Sequence, residues 1–155
     1  MNEVIKIAAG KFFVKIPVGL FYSEHDTWVK RGSEVVIGIT DFFQLTLGDV
    51  LFITLPEEGS EIVTVEEIGE IESIKAVLEI CSPVNGKVLK VNPKLEENPE
   101  FLNNDPYGEG WLLRVEPSDL EADLSKLMNA EQYAKLVENK VKEEQERAER
   151  QRAEL

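Results

Sequence analysis

Residues that could perform nucleophilic, acid–base or metal chemistry are sparse in this sequence. A serine or cysteine nucleophile needs a histidine base, and the chain holds one histidine, His25, and one cysteine, Cys81. Cys81 lies in an apolar β-like run, where a small buried side chain is the more frequent role. One histidine falls short of a zinc site, and no carboxylate spacing around it predicts another metal centre. A pair of catalytic carboxylates remains an open alternative.

Lysine 75 is the reactive residue with a distinctive context. It stands in Glu72-Ser73-Ile74-Lys75-Ala76, between two strand-like runs and with no glycine or proline beside it. Neither a G-x-G-x-x-G nor a G-x-x-x-x-G-K-[ST] run occurs in the chain, so no loop is predicted to bind phosphates. By pattern alone, Lys75 is a solvated surface lysine.

The overall composition is that of a strongly acidic globular protein. The 155 residues suit one domain with a tail, and the 43% apolar content excludes wholesale disorder. With 30 acidic against 17 basic side chains, the net charge of -13 argues against nucleic acid and anionic membranes as partners. Lys6, Lys11 and Lys15 interrupt the mildly apolar N-terminus, so we expect no targeting segment and a cytoplasmic location.

The elements that must position these residues are mostly strands. The continuous apolar run from Val50 to Leu55 predicts a strand buried on both faces, and residues 68–74 lead a further strand into Lys75. Thr40 and Asp41 are expected to cap a short helix that ends at Gly48. Other strands are predicted at 12–16, 35–39, 62–65, 77–81, 88–91 and 111–115.

Two helices are predicted towards the C-terminus. The capping-box spacing from Ser118 to Glu121 opens a helix with apolar residues as far as Met128 on one face. Asn129 with Gln132 repeats the cap signal before a second helix. The charged sequence from residue 138 onward then predicts a solvated helical tail.

Several sequence blocks, in order from Tyr22 to Leu136, resemble the H protein of the glycine cleavage system. Each block is weak alone, but their order and spacing together are specific to this family among lipoyl and biotinyl carriers. The blocks are Val36-Ile37-Gly38-Ile39-Thr40-Asp41, Leu47-Gly48-Asp49-Val50, Leu55-Pro56-Glu57, Glu72-Ser73-Ile74-Lys75-Ala76, Ser82-Pro83-Val84-Asn85-Gly86, Pro106-Tyr107-Gly108-Glu109-Gly110-Trp111-Leu112 and Ala130-Glu131-Gln132-Tyr133.

The resemblance implies a mainly β fold, a barrel-sandwich hybrid with short flanking and C-terminal helices. It implies a lipoyl-carrier domain at 21–137, an N-terminal extension at 1–20 and a charged tail at 138–155. It also implies that lipoate is attached to Lys75 at the tip of a tight hairpin, within the attachment block Glu72, Ser73, Ile74 and Ala76. Such a modification removes the lysine charge and adds a long arm.

In this family the carrier is not itself an enzyme, and the resemblance implies four partners. The pyridoxal-phosphate-dependent P protein loads the methylamine group of glycine, and the T protein transfers the one-carbon unit to tetrahydrofolate. The L protein, a flavin dihydrolipoamide dehydrogenase, reoxidises the dithiol, and a lipoate-attaching enzyme installs the arm. A monomer is the natural expectation for such a mobile carrier.

The chain departs from the family at the cleft that receives the loaded arm. Thr27 stands where the family has a glutamate that helps to hold the amine, and Asp26 stands where it has histidine. A threonine cannot supply the negative charge that a protonated amine prefers. The cleft is expected to involve Ser23, His25, Asp26, Thr27 and Glu79.

Two alternatives follow from these departures. In the first, an H-like carrier holds a sulfur-bearing intermediate in a heterodisulfide-reductase-like sulfur oxidation system. The apolar Val77 and Leu78 beside the attachment block suit either stable packing or such a different cargo. In the second, an unmodified interaction domain keeps the fold without lipoate, but the intact block from Glu72 to Ala76 argues against it.

Overall fold

Three β-sheets form the scaffold of the protein, which the computed structural model describes from residue 3 to residue 155. The strands are β1 (Val4–Ala9), β2 (Phe12–Pro17), β3 (Phe21–Tyr22), β4 (Thr27–Lys30), β5 (Val35–Ile39), β6 (Val50–Thr54), β7 (Glu61–Ile62), β8 (Glu67–Ser73), β9 (Val77–Cys81), β10 (Gly86–Val91) and β11 (Leu113–Pro117). The helices are α1 (Asp41–Leu47), α2 (Phe101–Asn104), α3 (Leu120–Leu124) and α4 (Ala130–Ala153).

A six-stranded and a three-stranded sheet enclose the main hydrophobic core. The larger has the order β3-β4-β5-β11-β10-β7 and the smaller the order β6-β8-β9. Apolar side chains of both sheets meet in one cluster, among them Ile37, Ile71, Ile80, Val88 and Val115. Their burial accounts for the alternation of apolar and polar residues along these strands. The predicted mainly β architecture is therefore confirmed.

A second core joins the N-terminal hairpin β1–β2 to helix α4. Val14 and Ile16 of β2 lie against Tyr133, Val137 and Val141 of α4, all of them buried. The strand predicted at 12–16 is thus present, and it pairs in register with β1. The hairpin and α4 thus form a packed layer with a core of its own.

Polar contacts also fasten the hairpin to the rest of the fold. The hydroxyl of Tyr107 donates to the carbonyl of Lys15 at 2.8 Å and accepts from the amide of Asp41 at 3.0 Å. The amide of Lys15 donates to the Asp41 carboxylate at 2.8 Å. In addition, the hydroxyl of Tyr22 donates to the carbonyl of Pro17.

Two of the predicted helix starts are confirmed and one is wrong. Thr40 caps α1 and Gly48 ends it, and Asn129 with Gln132 forms the capping box of α4. Helix α3, however, is capped by Asp119 rather than Ser118 and ends at Leu124.

The early end of α3 has a backbone cause. The amide of Met128 donates to the carbonyl of Tyr22, and the amide of Tyr22 donates to the carbonyl of Met128, both at 2.8 Å. This β-bridge holds Met128 in an extended conformation, so a helix cannot continue from Leu124 as far as that residue.

The prediction that the run from Val50 to Leu55 is buried on both faces is wrong. Strand β6 is an edge strand beside β8, and the side chains of Leu51 and Phe52 are 43% and 66% exposed. A continuous apolar run does not distinguish a central strand from an edge strand that presents apolar groups outward.

No helix among residues 3–155 has the length and apolar character needed to cross a bilayer.

Candidate functional site

Lys75 lies in the tight connection between β8 and β9, which pair antiparallel as a hairpin. The side-chain oxygen of Ser73 accepts hydrogen bonds from the amides of Lys75 at 3.3 Å and Ala76 at 3.1 Å. The Ser73 amide also donates to the carbonyl of Ala76 at 2.8 Å. These bonds close the loop around Ser73 and point the neighbouring positions outward, so that Ile74 is 79% exposed.

The loop also rests on the segment that follows α1. The amide of Ile74 donates to the carbonyl of Asp49 at 3.4 Å. Asn103 of α2 fixes that segment on both sides, since its side chain donates to the carbonyl of Gly48 at 2.8 Å and accepts from the amide of Val50 at 3.0 Å. Sequence reasoning missed Asn103, because nothing in the pattern links positions so far apart in the chain.

The aliphatic stem of Lys75 lies across Gly48. A Cβ atom at Gly48 would sit 3.3 Å from Cε of Lys75, and the backbone there has a φ of 77°, which L side chains rarely adopt. Glycine thus both ends α1 and leaves room for the lysine. No hydrogen bond or ion pair within residues 3–155 engages the Lys75 amine.

A cleft of about 430 Å³ opens beside Lys75, and Lys75 itself lines it. We call it the hairpin–helix cleft, because β2 and α4 form two of its walls and α1 forms the third. Its apolar walls include Phe12 and Val14 from β2, Phe42 and Leu45 from α1, and Val141 and Ala148 from α4.

Exposed carboxylates cover the outer face of the sheet that carries the loop. Glu70 and Glu72 of β8 and Glu79 of β9 are all exposed, and Glu70 lies directly opposite Glu79 in the pairing. Glu79 therefore belongs to an acidic sheet surface near Lys75. The other side chains predicted to form the arm cleft belong to the turn of residues 23–27, which we call the Ser23 turn. Glu79 does not line the cavity at that turn.

The Ser23 turn brings together two of the predicted cleft residues. Ser23 and His25 line a second cavity, of about 470 Å³, with Thr64, Val65 and Leu136 among its other walls. Asp26, Thr27, Glu79 and Lys75 do not line this cavity in the part of the chain that the structure describes.

Thr27 is closed off by hydrogen bonding within the same turn. Its side-chain oxygen lies 2.6 Å from that of Ser23, and the residue is only 1% exposed. Ser23 also accepts from the amides of His25 at 3.2 Å and Thr27 at 3.3 Å. Both hydroxyls thus serve the turn itself.

Asp26 faces helix α4. Its carboxylate accepts from the hydroxyl of Tyr133 at 2.8 Å and from the amine of Lys140 at 3.2 Å. Burial, reinforced by the Asp26 charge, raises the pKa of Tyr133, so this phenol stays protonated and donates. Asp26 has a left-handed backbone with a φ of 65°, a conformation that aspartate tolerates better than most residues.

The remaining reactive groups do not assemble into a site. Burial raises the pKa of the Cys81 thiol, and the carboxylates of Glu79 and Glu67 raise it further. Within residues 3–155, no group of three or more His, Cys, Asp or Glu side chains is placed to hold a metal ion.

Comparison with known proteins identifies the family. The family model described as glycine cleavage H-protein matches residues 20–140. The glycine cleavage system H protein of Bacillus licheniformis is 49% identical over 122 residues, which cover 78% of this chain and 95% of that protein. The probable glycine cleavage system H protein of Thermococcus gammatolerans is 45% identical over 127 residues, which cover 81% of this chain and 94% of that protein.

A solved structure agrees with the sequence relatives. A crystal structure of a glycine cleavage system H protein from Mycobacterium marinum superposes with a TM-score of 0.70 at 33% identity, over 77% of this chain and 96% of that one. This likeness confirms the predicted barrel-sandwich fold with its flanking helices. By sequence and by fold, the chain belongs to the glycine cleavage H-protein family.

Proposed function

We propose that this protein is the lipoyl carrier of a glycine cleavage system, modified on Lys75. It would carry the methylamine group of glycine from the P protein to the T protein, with the L protein restoring the oxidised arm. The observation that carries the proposal is the unpaired amine of Lys75 on a braced hairpin tip, in the block where the family attaches lipoate. The names of the relatives favour glycine cleavage over the sulfur-carrier alternative.

The residues around Lys75 fit a group attached through an amide bond. Ser73 fixes the backbone on either side of the lysine, and Gly48 leaves the stem unobstructed. A lipoyl group bound there would supply a disulfide that opens when the methylamine group is loaded and closes again on oxidation. The chain's own part is to hold the attachment point rigid, which limits the positions that the arm samples and raises its effective concentration at a docked partner.

Recognition by the lipoate-attaching enzyme and by the three partner enzymes would use the surface around the hairpin. Exposed apolar side chains flank Lys75, namely Ile74, Val77 and Phe52, and the carboxylates of Glu70, Glu72 and Glu79 surround them. An apolar centre with an acidic rim suits partners that present basic patches. We also infer that the protein is not itself catalytic, because each step of the cycle is assigned to a partner or to the cofactor.

The test is the intact mass of the protein lipoylated in cells, before and after incubation with glycine and an active P protein. We expect one lipoyl group on the wild type and none on Lys75→Arg, with Lys90→Arg, another exposed lysine of the same fold, as the matched control. A further gain of one methylamine group after incubation would support the glycine cargo.

Two results would contradict the proposal at different levels. A lipoyl group on Lys75→Arg would overturn Lys75 as the attachment site. A lipoyl group that never gains methylamine would leave the carrier intact and overturn the glycine cargo. The predicted domain limits, cytoplasmic location and monomeric state are separate proposals. Limited proteolysis would test the domain limits, cell fractionation the location and gel filtration the monomeric state.

A further inference from the structure

Strand β1 has a free edge on the side away from β2, its one partner among the described residues. Lys15 lies opposite Lys6, but its amide donates to the Asp41 carboxylate and its carbonyl accepts from Tyr107. Lys6 and Lys15 are therefore a non-hydrogen-bonded pair. By the alternation of an antiparallel ladder, the amides and carbonyls of Lys6 and Ala8 point away from β2. No hydrogen bond within residues 3–155 engages these groups.

A groove of about 350 Å³ opens beside this edge. We call it the β1–α4 groove, because β1 and α4 form its walls. The wall from β1, and the part of α4 beyond residue 140, lie outside the residues that the family model matches. The groove is therefore largely a product of the two ends of this chain. The residues that line it include Lys6, Ile7, Ala8, Glu138, Val141 and Lys142.

The hairpin beside the groove is a basic patch on an acidic protein. Lys6, Lys11 and Lys15 are the only charged residues from position 4 to position 23, and all three are exposed. No ion pair within residues 3–155 engages any of them or Lys142. Lys6 stands directly opposite Lys15, an arrangement of like charges that is unfavourable unless an anion lies beside it.

We infer that the β1–α4 groove binds an acidic, extended segment of a partner protein, which adds as a strand to the free edge of β1. The backbone of the segment would bond to the outward amides and carbonyls of Lys6 and Ala8. Every second side chain of an added strand falls on the face of Lys6 and Lys15, where a carboxylate pairs with the lysines. The side chains between them face the wall of α4 at Val141.

The charge of the groove favours this occupant over a second copy of the chain. Pairing of β1 with β1 of another copy would bring two lysine-bearing strands side by side, and lysines on an edge strand oppose such pairing. The net charge of -13 on each copy adds to the repulsion. A nucleic acid would match the lysines, but it lacks the peptide groups that complete a β-ladder at the edge.

A partner anchored at β1 would stay close to Lys75. Phe12, at the tip of the same hairpin, lines the hairpin–helix cleft together with Lys75. Anchoring at one point raises the effective concentration of the partner at the other. The binding itself does not require lipoate on Lys75, so it can be measured on the unmodified protein.

The test is amide hydrogen exchange by NMR on the full, unmodified chain, with and without a synthetic peptide of Glu-Thr repeats. We expect the peptide to slow exchange at Lys6 and Ala8, whose amides lie on the free edge. Exchange at Ile5 and Ile7 should stay unchanged, because these amides already pair with β2. A Gln-Thr peptide of the same length should give no protection, and added salt should weaken the binding of the acidic one.

Three substitutions, two of them with matched controls, make the test specific. Ala8→Pro removes an edge donor at a position where proline is tolerated and should abolish binding, whereas Ala8→Val should retain it. Lys6→Gln should weaken binding about two- to fivefold, the range of an exposed ion pair, whereas Lys90→Gln, on the exposed side of β10, should not. Glu138→Gln removes an acid from the wall and should strengthen binding. The amide spectrum of each variant verifies its fold.

Several outcomes would overturn the inference without touching the proposed function. The first is unchanged exchange at Lys6 and Ala8 at millimolar peptide, and the second is equal protection by the Gln-Thr peptide. Protection that appears without peptide and grows with protein concentration would assign the edge to a second copy of the chain. Equal competition by an oligonucleotide of matched charge would make the lysines a general polyanion patch. Lipoylation of Lys75 is tested separately by intact mass.

Discussion

Replacing Ser73 with alanine should loosen the loop that presents Lys75. The serine oxygen accepts from the amides of Lys75 and Ala76, and Ser73 itself is buried. Alanine keeps the backbone bond from the Ser73 amide to the carbonyl of Ala76 but leaves those two amides without their partner. The loop should then open more often without the hairpin unfolding.

The size of the effect follows mainly from the two amide bonds that are lost, because the carbonyl of Ala76, which also accepts from the Ser73 hydroxyl at 3.3 Å, keeps the Ser73 amide as a donor. At 3.3 and 3.1 Å they are long for N–H···O bonds, so each is worth about 0.5 kcal/mol, the low end of the usual range. Together they give about 1 kcal/mol, which is about a fivefold increase in the open population of the loop. If the lipoate-attaching enzyme needs the closed loop, lipoylation should slow only by the fraction of closed loop that is lost, which is far less than fivefold while the loop stays mostly closed.

Amide hydrogen exchange at Lys75 and Ala76 is the direct assay, with initial lipoylation rates as the functional one. Ser82→Ala is the matched control, because Ser82 is a similarly buried serine whose oxygen bonds to the backbone of Val84 in another loop. That variant should leave exchange at Lys75 and Ala76 unchanged. Unchanged exchange in Ser73→Ala as well would refute the reasoning and assign the loop geometry to the backbone bond alone.

Three further predictions concern the second core and the thiol. Tyr133→Phe should lower the free energy of unfolding by about 1–3 kcal/mol, because Asp26 loses a buried donor, and urea unfolding would measure this. Val141→Ala should cost about 1.5 kcal/mol in the same assay, for two buried methyl groups. Alkylation of Cys81 at neutral pH should be slower than that of a free cysteine peptide, and Glu79→Gln should accelerate it by lowering the raised pKa.

Each of these has a contradicting result. The control is Lys135→Met, on the exposed face of α4. If Tyr133→Phe kept the free energy of unfolding of the wild type, water would have to replace the phenol as the donor to Asp26. If Val141→Ala left the free energy of unfolding unchanged, the packing of α4 against the hairpin would extend only as far as Val137. If the alkylation rate of Cys81 rose with pH at the midpoint of a free thiol, this would contradict the raised pKa that burial and the carboxylates of Glu79 and Glu67 predict.

The parts of the fold that depend on local signals could be predicted from the sequence. Capping residues such as Thr40 and Asn129 act on amides a few positions away, and the β pattern around Lys75 reflects the alternation of one hairpin. The attachment lysine itself emerged from resemblance, because an exposed lysine between strands has no local signature of acylation.

The parts that failed depend on contacts distant in sequence. The early end of α3 is caused by the bridge between Tyr22 and Met128, and the exposure of β6 depends on its place at a sheet edge. The hairpin–helix cleft arises from opposite ends of the chain. Periodicity in either segment predicts a strand or a helix, but it contains no information about which surface the element packs on.

The structure also changes the interpretation of Asp26 and Thr27. From the sequence, these departures from the family suggested a different cargo, because Thr27 cannot supply the negative charge that a protonated amine prefers. Asp26 is instead committed to Tyr133 and to Lys140, which also donates to the carbonyl of Glu24 at 3.1 Å. A carboxylate already paired with an amine is a poor receptor for a second one.

That commitment gives the change at position 26 a structural cause. The pair with Lys140 is only partly exposed, so it is screened less than a surface ion pair, and it fixes the turn to the helix one residue before Val141 enters the second core. The same helix then continues into the wall of the hairpin–helix cleft. Asp26 therefore serves the attachment of α4, and the cargo of the arm has to be argued from the surroundings of Lys75 rather than from this turn.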